Sequence, residues 1–181
     1  MPEMVAMWVE SWEDPAMRHA ILVHFPIVIA VMLIPLSFGA MVWRGSGRTA
    51  LTVLSLIGCL LLIGTAYVAK ESGSEAHHAL GTIIDTQDSE AIGQHAQDAV
   101  RIWWLGCVAA GLLLLSCIGK PAWRQIFRFA FFLGCIALAG YVALVADLGG
   151  RLVYKRGVGV PRPAAVPLTP AGSPDLPPAK L

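Results

Sequence analysis

HAILVHFPIVIAVMLIPLSFGAMVW, residues His19 to Trp43, contains two histidines and no Asp, Glu, Lys or Arg. A bilayer core takes about 20 apolar residues of α-helix to cross, and the run from Ala20 to Trp43 is that long. A buried helix of a soluble bundle would instead show a polar stripe at the helical period, and none occurs here. Three further uncharged runs follow, at Ala50–Ala69, Ile102–Gly119 and Phe129–Ala146. These four runs predict four transmembrane helices, spans 20–43, 50–69, 102–119 and 129–146, in an all-α bundle.

Composition agrees. Over 181 residues, 56% are hydrophobic and only 14% charged, with a mean hydropathy of +0.67. Soluble domains average about 25% charged residues, too many more for this chain to cover a water-facing surface. The net charge of +1 gives no basic footprint for nucleic acid. The partners to expect are membrane lipid and other membrane proteins.

The chain divides into three parts. Residues 1–18 put Met4, Val5, Trp8 and Trp12 at helical spacing and carry Glu3, Glu10, Glu13 and Asp14 before the first Arg. A secretory signal begins with basic residues instead, so this segment predicts an interfacial amphipathic helix, stopped or kinked at Pro15. Residues 19–157 form the four-helix domain. Residues 158–181 hold seven prolines (161, 163, 167, 170, 174, 177 and 178) and predict an extended tail. Short links between spans place the N-terminus, the 70–101 connection and the tail on one face. The opposite short loops, Arg44–Thr49 and Lys120–Arg128, hold five of the 13 Lys/Arg and none of the 12 Asp/Glu. By density of positive charge those loops are cytoplasmic, giving N-out and C-out in a bacterial inner membrane.

No C-x-x-C-H, phosphate loop, H-E-x-x-H or Ser-His-Asp order is present, so a non-catalytic electron-transfer or accessory subunit is expected rather than an enzyme. The cysteines Cys59, Cys107, Cys117 and Cys135 fall inside the predicted spans and read as packing residues. Histidine carries the chemistry. His24 lies inside the first span, where an imidazole is costly unless paired or ligated. Ser89 is placed to cap a helix running into Ile102, on which Ile92, His95, Ala96, Ala99 and Trp103 share an apolar stripe and Asp98 takes the other side. Two inward imidazoles from the first and third spans are candidate axial ligands of a b-type haem. Counting from the far ends, His24 lies about 28 Å above Trp43 and His95 about 36 Å above Gly119, while His19 matches His95 in height. The ligand set is therefore His95 with either His19 or His24. After the last span, Gly149-Gly150 can turn the chain back over the bundle, bringing Arg151, Lys155 and Arg156 over the histidines as partners for haem propionates.

The pattern His19-x-x-x-x-His24-Phe25-Pro26, a histidine opening the third helix, and Gly149-Gly150-x-Leu152-Val153-Tyr154-x-x-Gly157-Val158-Gly159-Val160 resembles a bacterial family of four-helix membrane proteins known as a domain of unknown function. The likeness spans roughly residues 18–160, with Ala20 standing where that family usually has proline. The resemblance implies a redox setting, since some relatives are fused to c-type cytochrome or Rieske-type domains. The expected partners are thus a larger respiratory or photosynthetic membrane complex, a c-type cytochrome or Rieske protein, and quinone.

Overall fold

The computed structural model describes residues 2–81 and 86–160; the proline-rich tail from Pro161 onward lies outside them. The described chain is all helical: α1 (Pro2–Glu13), α2 (Pro15–Leu22), α3 (His24–Val42), α4 (Ser46–Leu80), α5 (Thr86–Leu115) and α6 (Pro121–Arg156). Prolines set two of the boundaries. Asp14 caps α2 by accepting from the Ala16 and Met17 amides at 2.8 and 3.2 Å, and Pro15 at the first helical position needs no amide of its own. Pro26 has no amide to give the Leu22 carbonyl, and its ring crowds that carbonyl. Leu22 is where α2 ends and α3 takes over.

Four helical stretches are long and apolar enough to cross a bilayer: α2 with α3 (Pro15–Val42), α4 (Ser46–Leu80), Gln87–Leu115 of α5, and α6 (Pro121–Arg156). The interior confirms the membrane reading. Its core consists largely of small or slender residues, among them Ala30, Cys59, Ala66, Ala109 and Cys135, with Leu33, Leu62 and Phe131 as larger fillers. The large side chains face outward, Val28, Met32, Phe38, Leu60, Val108 and Leu144 among them. A water-soluble bundle inverts this arrangement, whereas helices in lipid gain by close approach of small residues. The chain is a multi-pass membrane protein.

Each span neighbours the next, and α6 closes the ring against α3; among the described residues α3 does not approach α5, nor α4 approach α6. The first and third spans are therefore diagonal partners across the bundle axis, as are the second and fourth. The neighbouring pairs run antiparallel with a seven-residue repeat. In the first span His19, Pro26, Leu33 and Ala40 fall on one row and are all buried or half-buried. Leu33 lies against Gly58, where a Cβ would come within 2.9 Å of it, and His19 lies against Ser72 and Gly73. Between α5 and α6 the same spacing links His95 to Gly149, Asp88 to Arg156 and Ser116 to Arg128. It sets Ile102 level with Val142 and Ala109 level with Cys135, all four buried. Side chains that recur every seven residues stay on the contact row of two wound helices.

Three sequence expectations change. Gly149-Gly150 does not turn the chain: α6 runs through both glycines and ends at Gly157, whose φ of 67° is left-handed and whose amide bonds back to Val153 at 3.0 Å. An α-helix tolerates paired glycines when its neighbour packs against them, and here His95 does. Ser89 is not the cap of α5, which starts at Thr86. Asp98 faces the neighbouring helix rather than water, accepting a hydrogen bond from the Tyr141 hydroxyl at 2.8 Å, while Ala96 is exposed. The short N-terminal helix expected before Pro15 is present as α1, which approaches only α2 among the described residues and leaves Met4, Trp8 and Trp12 exposed.

Candidate functional site

All four spans contribute to one cluster at the end of the bundle shared by α1, the α4–α5 connection and the end of α6. The residues are His19 on α2, Ser72 and Gly73 on α4, His95 on α5, and Gly149 on α6.

His19 is oriented by its neighbour. The Ser72 hydroxyl gives its single proton to the Ala69 carbonyl at 2.8 Å and lies 3.0 Å from His19 Nδ1. An oxygen that has already donated can only accept, so Nδ1 carries the proton, a tautomer assigned from the network. The lone pair of His19 is therefore on Nε2. This is how a histidine ligand is prepared: the outward nitrogen is anchored and the other left free to bind. Arg18, the preceding residue, pairs with Glu75 on α4 and pins the same turn from outside.

His95 comes from the diagonal helix and has no such anchor. Its Nδ1 is buried without a hydrogen-bond partner. A buried polar atom left unpaired costs about 1–3 kcal/mol, which marks the site as unfinished by protein groups alone. Both imidazoles press against glycines. A Cβ on Gly73 would come within 2.9 Å of His19 Cε1, and one on Gly149 within 3.0 Å of His95 Cε1. Only a residue without a side chain admits each ring at that distance. The two rings come from diagonal helices at the same end of the bundle. Near them α2 packs on α4 and, among the described residues, does not approach α6. Beyond α6, Gly159 returns to α2, within ordinary van der Waals distance of Ala16.

His24 is not part of this cluster. It is exposed, and its Nδ1 lies 2.7 Å from the Ala20 carbonyl of its own helix. Five residues rotate a helical position by about 140°, so if His19 points to the axis His24 points away. The equal heights of His19 and His95 anticipated this pairing; the seven-residue row from His19 through Pro26 and Leu33 to Ala40 is the signal that would have chosen between the two histidines. The cations expected over the histidines are placed otherwise. Arg151 pairs with Asp147 at 2.7 Å within α6, and Arg156 pairs with Asp88 at 3.1 Å, two turns above His95. Lys155 is exposed. Arg156 ties α6 to α5 above the site, and Arg151 lies on the outer surface. Ser72, Gly73 and Gly149 are the members of the cluster that sequence reasoning did not assign a role at the histidines.

The donor set is selective. A bare zinc ion takes three or four protein ligands, and no group of three His, Cys, Asp or Glu placed to share a metal occurs among the described residues. An iron porphyrin brings four equatorial nitrogens and asks the protein for one or two axial ones. Two diagonal imidazoles, one with its free nitrogen set by a hydrogen bond and each against a glycine, fit that requirement. Two surface grooves lie elsewhere: one of about 270 Å³ between α5 and α6 beside Leu112 and Gly134, and one of about 240 Å³ between Phe25 and Thr65, neither lined by a histidine. Comparison with protein-family models, curated proteins and solved structures gave no match for this chain.

Proposed function

We propose that this chain is an integral-membrane electron-transfer subunit that holds a b-type haem at the His19–His95 end of its bundle, as part of a larger redox complex. The observation that carries the reading is the placement of two half-buried imidazoles from diagonal helices at one end of the bundle, each against a glycine. Bound there, a b-type haem supplies one-electron redox chemistry. His19 and His95 are the residues that would hold it. Ser72 fixes the His19 ring, Gly73 and Gly149 clear the space beside the rings, and the seams below exclude water from the axis. The density of Lys and Arg in the short loops, five of the 13 in the chain, supports placing the histidine end on the periplasmic side of a bacterial inner membrane. A c-type cytochrome, a Rieske protein or the quinone pool are the electron partners suited to that position.

A reduced-minus-oxidised absorption spectrum of the purified protein, prepared with haem supplied, tests the reading. The wild type is expected to show a haem Soret band. His19→Ala and His95→Ala should each abolish or shift it, and His24→Ala should leave it unchanged. A wild-type spectrum without the band overturns the proposal.

The second reading is a cofactor-free accessory subunit that scaffolds a membrane complex. It is favoured by α1, whose Met4, Trp8 and Trp12 are exposed, Trp8 stacking on Trp12 at 6.1 Å. A featureless spectrum together with a stoichiometric membrane partner on purification would select it.

A further inference from the structure

The opposite end of the bundle, formed by the short loops, holds a cluster of cations without anions. Arg128 lies two turns into α6 and is only 7% exposed. Its guanidinium reaches the Ser116 carbonyl and Gln125 Oε1, both at 3.5 Å, the outer limit of a hydrogen bond. Arg48 at the start of α4 and Arg124 one turn before Arg128 are its charged neighbours. The Arg124 Nε is buried with no hydrogen-bond partner, and Arg48 donates its Nε–H to the Trp43 carbonyl at 2.8 Å. No Asp or Glu lies in either short loop, and every ion pair among the described residues belongs to the other end of the molecule.

Three guanidiniums repel one another, and a buried one is strongly unfavourable without an opposite charge. The described residues supply none here, which leaves the charge to come from a bound anion. Arg128 immediately precedes the uncharged run that begins at Phe129, which puts it at the depth of lipid headgroups. The planar guanidinium fork matches the oxygens of a phosphate, and basic pockets between transmembrane helices recognise anionic headgroups. We propose that Arg48, Arg124 and Arg128 form a binding site for the phosphodiester of an anionic phospholipid. The site is independent of the haem reading, since it shares no residue with it.

The test measures the thermal unfolding midpoint of the full-length protein in a neutral detergent with dioleoyl phosphatidylglycerol, dioleoyl phosphatidylcholine or inorganic phosphate added. Phosphatidylglycerol at saturation is expected to raise the midpoint by about 5 °C or more over phosphatidylcholine. Arg128→Gln should lose that shift, and so should the double variant Arg48→Gln/Arg124→Gln, which keeps the test alive if Arg128→Gln does not fold. Arg44→Gln, which removes an equal but exposed charge from the same face, should retain it. An equal shift with inorganic phosphate supports the phosphate site and makes solution its source. Equal midpoints in the two lipids, or an undiminished shift in the double variant, overturn the proposal.

Discussion

Ser72 has a single hydroxyl proton and gives it to Ala69, which leaves its oxygen as an acceptor for His19. The side chain thus does more than fill space: it holds the imidazole in one tautomer and one orientation. Ser72→Ala leaves Ala69 without its extra donor and frees the ring to turn. The expected outcome is a folded protein whose haem affinity falls about 10–100-fold, the usual effect of removing the partner of a histidine ligand, read by titrating haem into the apoprotein. At this scale the sequence was only partly legible. His95 stood out because it shares an apolar stripe with Ile92, Ala99 and Trp103 among polar neighbours. His19 and His24 could not be separated by hydropathy, since both lie at the start of one apolar run. Which one faces the axis depends on rotation about the helix, and the row that fixes it becomes visible only once Leu33 and Gly58 are known to touch.

The helices differ in how their ends are made. Span α6 relies on Gly157 at a φ of 67°, with the Gly157 amide bonded to Val153 and the Val158 amide to Leu152. A residue with a Cβ costs about 1–2 kcal/mol in that left-handed conformation. Gly157→Ala is therefore expected to lower the thermal midpoint by about 2–8 °C, whereas Gly150→Ala, whose Cβ would meet nothing within 4 Å, should leave it unchanged or slightly raised. Circular dichroism melts of the two variants check both expectations. The four spans were legible because their signal is long and one-dimensional: about 20 residues without an ion admit few other readings. The ends were harder to read. A Gly-Gly pair signals a turn by backbone freedom, yet at Gly149-Gly150 the missing side chains serve His95, and the helix continues for another six residues to Arg156. Pro26 was legible as a disturbance, and its effect is the handover from α2 to α3 one turn earlier.

Across the whole molecule the packing is inside out relative to a soluble bundle, with small residues on the axis and large ones on the outer surface. Cysteine positions report on this arrangement. Cys59 and Cys135 are buried in the core, while Cys117 is exposed in the short link between α5 and α6. If the short loops are cytoplasmic, as the proposed orientation has them, a membrane-impermeant maleimide should label Cys117 in inverted vesicles and leave it unlabelled in intact cells, with Cys59 and Cys135 protected in both. Labelling of Cys117 from outside intact cells would reverse the assigned orientation. The two candidate sites were the least legible level, because each joins residues across a diagonal that no single stretch of sequence records: imidazoles from the first and third spans at one end, guanidiniums from the second and fourth at the other.

The single row that joins α5 to α6 carries His95 with Gly149 near one membrane surface and Ser116 with Arg128 near the other. These two helices behave like meshed gear teeth cut along one line. A rigid turn of α6 about its own length that lifts Gly149 from the imidazole also swings Arg128 out of its seat.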